Sequence, residues 1–243
     1  MFSVRFRGLL LDSAAGLLFP PRCAVCGCPT GRGRVLCRTC HRTIVPLLPP
    51  RCSVCAQPYG GELTGSFRCM NCGDRDLAFD FATAAYRSRG AVRRLVHRLK
   101  YEKAQHLRHY LGRMLAAGFR DPRVKAAPPD ALVPVPLHPA REREREFNQA
   151  QLLASAASAR LGLPVLDCLI RCRYTRTQTN FHREERFANL EGAFRARREA
   201  EIAGKRLALV DDVLTTGSTA DACARVLREA GASAVVVITV ARG

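Results

Sequence analysis

Tryptophan is missing from this 243-residue chain, aromatic residues make up only 7% of it, and lysine is scarce: 35 of the 39 basic residues are arginine. So few rings argue against an extensive base-stacking platform. Carboxylates are also few, 21 against those 39 basic side chains, which leaves a formal net charge of +18 and a sequence pI near 10.2. A genome that favours arginine over lysine accounts for the ratio between them, but not for the surplus of positive charge. The surplus points to a polyanion, above all single-stranded DNA, because arginine pairs with phosphate through two parallel N–H groups and stacks on bases.

Long apolar runs are absent too. No stretch approaches the roughly eighteen residues of a membrane span, so no membrane insertion is expected. Arg5 and Arg7 ahead of Leu9 to Phe19 imitate a signal peptide, but Asp12 interrupts the run, Pro20 and Pro21 follow it, and no small-residue cleavage site is evident. A short amphipathic helix packed on the neighbouring module is the expectation there. The six histidines (His41, His97, His106, His109, His138 and His182) form neither a triad nor a metal-binding spacing.

Cysteine, in contrast, is abundant, and eight of the twelve fall into four C-x-x-C pairs: Cys23/Cys26, Cys37/Cys40, Cys52/Cys55 and Cys69/Cys72. Each pair forms a knuckle that offers two thiolates to one metal, and two knuckles close a tetrahedral Zn(Cys)₄ site. Four pairs imply two Zn²⁺ ions, structural because sulfur fills every position. A disulfide framework would instead require an oxidising compartment and, usually, a small secreted domain. The rest of the chain reads as a large intracellular α/β domain, so a cytoplasmic location is expected. Sequential ribbons would pair the knuckles first with second and third with fourth, whereas a cross-braced module would interleave them. Pro46, Pro49 and Pro50 look like a joint between two units and favour the sequential arrangement. Cys28 reads as an extra free thiol, and Cys168, Cys172 and Cys223 as buried or incidental. With 47% hydrophobic residues, the chain suffices for a zinc module over residues 1–76 and an α/β domain over 77–243.

Residues 207–219, LALVDDVLTTGST, are the most informative stretch outside the cysteines. An apolar run suited to a buried strand ends at Asp211 and Asp212. A loop of small hydroxylated residues follows, and then Ala222, Val226 and Leu227 recur at helical spacing, giving strand, loop and helix. Unpaired N–H groups at a helix N-terminus suit an anion. Gly217 permits close backbone approach, and Thr215, Thr216, Ser218 and Thr219 add hydroxyl donors. Two carboxylates so near a phosphate would repel it unless they engaged something neutral or cationic, such as vicinal ribose hydroxyls or Mg²⁺-bound water. A sugar 5-phosphate satisfies both halves. The plain alternative is a strand ending at an Asp pair, with a Ser or Thr cap on the next helix.

Elsewhere, strands are expected at residues 78–86, Ala131 to Val135, Pro164 to Cys168 and Ser233 to Val240, with helices over 90–118 (two) and Phe147 to Leu161. Residues 121–130 read as a linker or surface loop. Strands alternating with helices indicate a parallel sheet. Arg141 to Arg145, within an R-E-R-E-R-E run, suit either a pyrophosphate or a solvated helix start. The polar, basic 173–189 segment suits a lid from which Arg176 and Arg186 neutralise charge on a leaving group. Lys100 is either a solvated helix-end cap or a ligand contact.

The 207–219 stretch resembles the phosphoribosyl-pyrophosphate (PRPP) motif of type I phosphoribosyltransferases. That resemblance implies a parallel sheet flanked by helices. It places the ribose hydroxyls on Asp211 and Asp212 and the 5-phosphate on Thr215 to Thr219. Purine-salvage members usually carry a base-contacting Asp where this chain has Thr215. VPVPLHP at 133–139, FNQA at 147–150, Leu99-Lys100-Tyr101, the R-x-T-x-x-Q pattern around Tyr174 to Thr179 and RFANLEGAF at 186–194 are similar, together with the knuckles and in the same order, to the competence protein F (ComF) family and its GntX relatives. The resemblance implies PRPP with Mg²⁺ as ligand and a part in handling incoming DNA, or in using DNA as a nutrient, alongside other competence proteins; charge and position make Arg176 and Arg186 the catalytic candidates and Lys100 a candidate site contact. One departure is Glu146, where the family commonly has glycine.

Overall fold

The computed structural model describes residues 21–63, 65–73, 75–174, 187–197 and 202–243. The expected N-terminal helix, and Arg176 and Arg186, lie outside these residues.

Four strands make the main sheet: β1 (Phe81–Arg87), β2 (Ala131–Pro134), and two further strands numbered below, Arg206–Leu214 and Ala234–Arg242. Before β1 come two short helices, α1 (Arg38–Arg42) and α2 (Met70–Gly73), each carrying the second cysteine of a knuckle, Cys40 and Cys72. Between β1 and β2 lie α3 (Gly90–Tyr101), α4 (Arg108–Ala117) and α5 (Pro122–Ala126). After β2 come α6 (Pro139–Arg145), α7 (Gln149–Leu161), the antiparallel pair β3 (Leu169–Arg171) and β4 (Phe194–Ala196), then β5 (Arg206–Leu214), α8 (Ser218–Glu229) and β6 (Ala234–Arg242).

The sheet order is β1-β6-β5-β2, and every pairing is parallel. A parallel sheet covered on both faces needs apolar residues on both, and β6 is buried at all nine positions. Alternation along β5 assigns its side chains to the two faces. Ala208 and Val210 face Leu95 and Leu99 of α3, Leu111 of α4 and Leu153 of α7. Leu207 and Leu209 face Cys223 and Leu227 of α8, with Leu169 of β3 and Phe194 of β4 beyond. Helices α4 and α7 cross tightly where a Cβ on Gly112 would stand 2.6 Å from that of Ala156, so no larger residue fits.

Two sequence expectations change. Residues 121–130 include α5 rather than forming only a loop: Asp121 caps it by accepting the Arg123 N–H at 3.0 Å, with Pro122 at the first helical position. The Asp-Pro pair was a helix start rather than a turn. The expected strand over 164–168 shrinks to one parallel bridge, Val165 with Leu132, and the chain becomes a strand only at Leu169, paired with β4.

Candidate functional site

The two cysteine tetrads are sequential. Cys23, Cys26, Cys37 and Cys40 form one group and Cys52, Cys55, Cys69 and Cys72 the other, each with all sulfurs within 4.8 Å. Cys26 and Cys37 Sγ stand 3.7 Å apart, and Cys55 and Cys69 3.6 Å. Four sulfurs about 2.3 Å from one Zn²⁺ lie roughly 3.8 Å from each other in a tetrahedron, so the spacing fits structural zinc. The ribbons repeat each other. An antiparallel bridge joins Arg22 to Pro29 and another Arg51 to Pro58, and the left-handed knuckle residue is Gly27 in the first ribbon and Ala56 in the second. Cys28 Sγ approaches Cys26 Sγ to 3.3 Å, so the free thiol lies against the first tetrad.

The second ribbon is bound into the sheet. Val54 O accepts the Ala82 N–H at 2.6 Å, Arg51 pairs with Asp121 at 2.9 Å, and Arg242 at the end of β6 donates to Cys55 O at 2.8 Å.

At the carboxyl end of the sheet, the chain leaves β5 toward β6 through α8, and leaves β2 in the opposite direction, toward Val165. Loops that diverge in this way leave a crevice between β5 and β2, the usual ligand position in parallel sheets. Asp211 and Asp212 lie on β5 just beyond its pairing with β2, and the strand continues beside β6 to Leu214, past the acids at which the apolar run stops. Alternation turns them to opposite faces, and their environments differ accordingly. Asp212 is buried, and its Oδ1 lies 2.8 Å from Lys100 Nζ on α3, while its Oδ2 is buried without a hydrogen-bond partner among the described residues. Burial disfavours the Lys100 ammonium, but Asp212 and then Asp211 outweigh it and hold its pKa above the usual lysine value. Asp211 is half-buried. Burial, and then the Asp212 carboxylate, push its pKa up to about 7 against the opposing pull of Lys100 and Arg145.

The loop after β5 continues into α8 through Gly217 at φ +86°, a left-handed conformation that favours glycine. No backbone carbonyl of the described residues accepts from the N–H groups of Thr215, Thr216 or Gly217. With the first N–H groups of α8, these make a cradle suited to an anion. Thr216 and Ser218 hydroxyls stand 3.1 Å apart; Thr215 is exposed, Thr219 half-buried and Ser218 buried. Among the atoms of the described residues, a Cβ on Gly217 would meet only the Phe79 ring at 3.8 Å, an ordinary contact, so the backbone angle gives glycine a reason of its own beside close approach of an anion.

The R-E-R-E-R-E run is α6, with no buried residue, so it is a solvated helix, yet its last arginine turns toward the site. Arg145 lies 5.5 Å from the Tyr101 ring centroid, donates to Gln149 Oε1 and acts electrostatically on Asp211. Glu146 takes φ +71°, a left-handed conformation that favours glycine, and pairs with Lys103. Arg171 on β3 is the residue that sequence reasoning missed. It lies close enough to Asp211 for the two charges to interact, and its guanidinium sits 5.3 Å from the Phe194 ring centroid. Its signal was only a lone arginine between Cys168 and Cys172.

Family models match a double zinc ribbon domain over residues 14–74 and a phosphoribosyl transferase domain over residues 148–243. The sheet is thus that of a phosphoribosyltransferase-like α/β fold with an N-terminal cysteine-ribbon module. Competence protein F of Haemophilus influenzae is 33% identical over 178 residues, which is 72% of this chain and 78% of that protein. DNA utilization protein YhgH of Escherichia coli K12 is 36% identical over 59% of this chain and 63% of its own length. Among solved structures, glutamine PRPP amidotransferase from B. subtilis is 28% identical over 55% of this chain, with a TM-score of 0.36, and the match spans 26% of that enzyme's chain.

Proposed function

The chain belongs to the competence protein F family, and on that premise we propose that it binds PRPP with Mg²⁺, transfers the phosphoribosyl group to an acceptor, and contacts single-stranded DNA in the course of DNA uptake or utilisation. The observation that carries the ligand reading is the Lys100–Asp212 pair at 2.8 Å beside the accessible Asp211, with a loop of unpaired N–H groups directly after them. The names of the relatives, competence and DNA utilization, motivate the DNA half of the reading, together with the +18 charge. A cytoplasmic site of action and other competence proteins as partners belong to the same reading. No helix of the described residues is long and apolar enough to cross a membrane.

In this reading, the N–H groups of Thr215 to Thr219 and the Thr216 and Ser218 hydroxyls hold the 5-phosphate. Asp211 accepts from the ribose hydroxyls, and Lys100 holds the Asp212 side chain in place beside them. The oxygen donors at Asp211 and Asp212 suit Mg²⁺, which supplies charge neutralisation on the pyrophosphate when bound. Lysine and aspartate held against each other in a buried position need no reorganisation as charge develops on the sugar. Arg176 and Arg186 take the charge growing on the departing pyrophosphate, with Arg145 and Arg171 adding positive potential at the crevice mouth. Thr215, in place of a base-contacting acid, argues against a free purine as acceptor.

Pyrophosphate release from Mg²⁺·PRPP, measured with a pool of bases, amines and single-stranded DNA as acceptors and with calorimetry alongside, tests this reading. Acceptor-dependent release supports transfer. Tight binding without release makes the protein a PRPP sensor on a transferase fold, and neither binding nor release removes the site altogether.

A further inference from the structure

We propose that single-stranded DNA binds in the groove between the first cysteine ribbon and α4, on Arg34, Arg38, Arg42 and Arg113, with Tyr110 as a stacking surface. The inference rests on the DNA-binding reading above and gives it a location. The groove is a space of about 520 Å³. Arg34 and His41 come from the ribbon, Arg38 and Arg42 stand one turn apart on α1, and Tyr110 and Arg113 come from α4. All four arginines and His41 are exposed, and no Asp or Glu lines the space.

What marks this groove is convergence, four arginines lining one space that no acid lines. Elsewhere, some arginines are matched with acids: Arg51 and Arg123 with Asp121, Arg94 and Arg98 with Glu102, Arg197 with Asp167, Arg225 with Asp221, and Arg228 with Asp80. Others, Arg120, Arg160 and Arg195 among them, are exposed with no ion pair among the described residues. Among the described residues, none of the four groove arginines forms an ion pair. Like charges gathered without counter-charge repel one another, and a phosphodiester backbone relieves that repulsion while each guanidinium grips phosphate through two N–H groups.

The form of the groove selects single strands. Tyr110 is half-buried, with the Arg113 guanidinium 5.2 Å from its ring centroid, so a ring and a planar cation stand side by side where an unpaired base can stack. Duplex reading needs a protruding helix or ribbon that enters the major groove. The five residues of α1 are little more than one turn and form a wall of the depression. The few aromatics of the chain mean that phosphate contacts supply most of the affinity, and the salt dependence should be steep.

Fluorescence anisotropy with a labelled oligothymidylate on the full chain, over a range of salt concentrations, tests the site. The groove variant is Arg38→Glu/Arg42→Glu/Arg113→Glu. A control of equal charge change, Arg120→Glu/Arg160→Glu/Arg195→Glu, alters exposed arginines elsewhere. The groove variant is expected to lose about tenfold or more in affinity and to flatten the salt slope by roughly two, as three lost contacts at about 0.7 each imply. The control should lose less than half as much on a logarithmic scale. Two equivalents of zinc and parental PRPP binding in the groove variant establish that it is folded; Arg38→Lys/Arg42→Lys/Arg113→Lys serves in its place if it is not, with a smaller loss expected. Equal losses in groove and control variants, or parental binding by the groove variant, overturn the location while leaving the DNA reading intact. A parent that binds no single strand at low salt, or binds duplex more tightly, overturns both.

Discussion

Arg242 and Cys55 join the cysteine-ribbon module to the candidate ligand site: Arg242 Nε donates to the Cys55 carbonyl at 2.8 Å, while its Nη1 donates to the Leu214 carbonyl at 2.9 Å. Leu214 immediately precedes the 215–219 loop, so one buried guanidinium holds both a zinc knuckle and the base of the anion cradle. A Zn(Cys)₄ centre carries two net negative charges, and Arg242, with Nη2 at 3.7 Å from Cys55 Sγ, offsets part of that charge.

Replacing Arg242 with Ala should therefore damage both ends at once. The Cys55 carbonyl loses its donor, at about 1–3 kcal/mol for a buried group left unsatisfied, while the Leu214 carbonyl keeps the Gly243 N–H at 2.9 Å. Thermal unfolding should begin about 2–10 °C lower, on a scale of roughly 2–4 °C per kcal/mol. PRPP affinity should fall in protein that is still folded, and an unchanged affinity would mean that the link has no bearing on the loop.

Removing the metal should act along the same path. Protein purified under reducing conditions is expected to hold two equivalents of zinc by elemental analysis, because neither ribbon buries enough surface to fold alone. Chelation should unfold residues 21–73 and weaken PRPP binding as Arg242 loses its partner. Absence of zinc, or intact PRPP affinity after complete chelation, would count against the coupling.

Asp211 gives a pH signature. Its pKa in the folded chain is raised to about 7, above the ordinary carboxylate value of an unfolded chain, so the folded state holds this proton longer. The stability it contributes is complete below about pH 4 and is lost as pH rises toward 7. In ligand-free protein at pH 8, Asp211→Asn should therefore raise the melting temperature by about 2–4 °C, corresponding to roughly 1 kcal/mol. At pH 4 the advantage should vanish. A variant less stable than the parent at pH 8 would refute the assignment.

Substitutions at Gly217 separate strain from steric blockage. At φ +86°, with only an ordinary contact to Phe79, the cost of a side chain is mainly conformational, about 1–2 kcal/mol. Asn, which tolerates the left-handed region, should be more stable than Ala, and Ala more stable than Val. Ribose 5-phosphate affinity should follow the same order. A Val variant as stable as the parent that nonetheless loses the phosphate would make close approach of the anion the main reason for glycine.

Much of this architecture is legible in residues close together in sequence. The knuckles, the Asp pair and the loop each combine neighbours whose spacing alone fixes their geometry, and the apolar runs of β5 and β6 mark a sheet buried on both faces. What depends on distant segments is harder to read. Lys100 and Asp212 are 112 positions apart, and only the packing of α3 against β5 shows that the lysine is an ion-pair partner rather than a helix-end cap. Arg171 and Arg242 carry no local pattern at all. The Asp121–Pro122 start of α5 was masked by turn-forming residues, which serve equally as a helix cap and its first position.

The central claim is that the end of β5 is a ribose-phosphate site, and Asp211→Asn tests it most directly because the same change is expected to stabilise the fold. Calorimetric titration of Mg²⁺·PRPP at pH 8 into the parent and into Asp211→Asn, with melting curves on both, supplies the comparison. The account predicts binding by the parent and a loss of about tenfold or more in the variant, the effect of one charge-assisted hydrogen bond worth roughly 1.5–3 kcal/mol. Parental affinity in the variant, or no binding by the zinc-loaded parent, would leave the Asp pair and its loop as a strand end and helix cap, and would contradict the account.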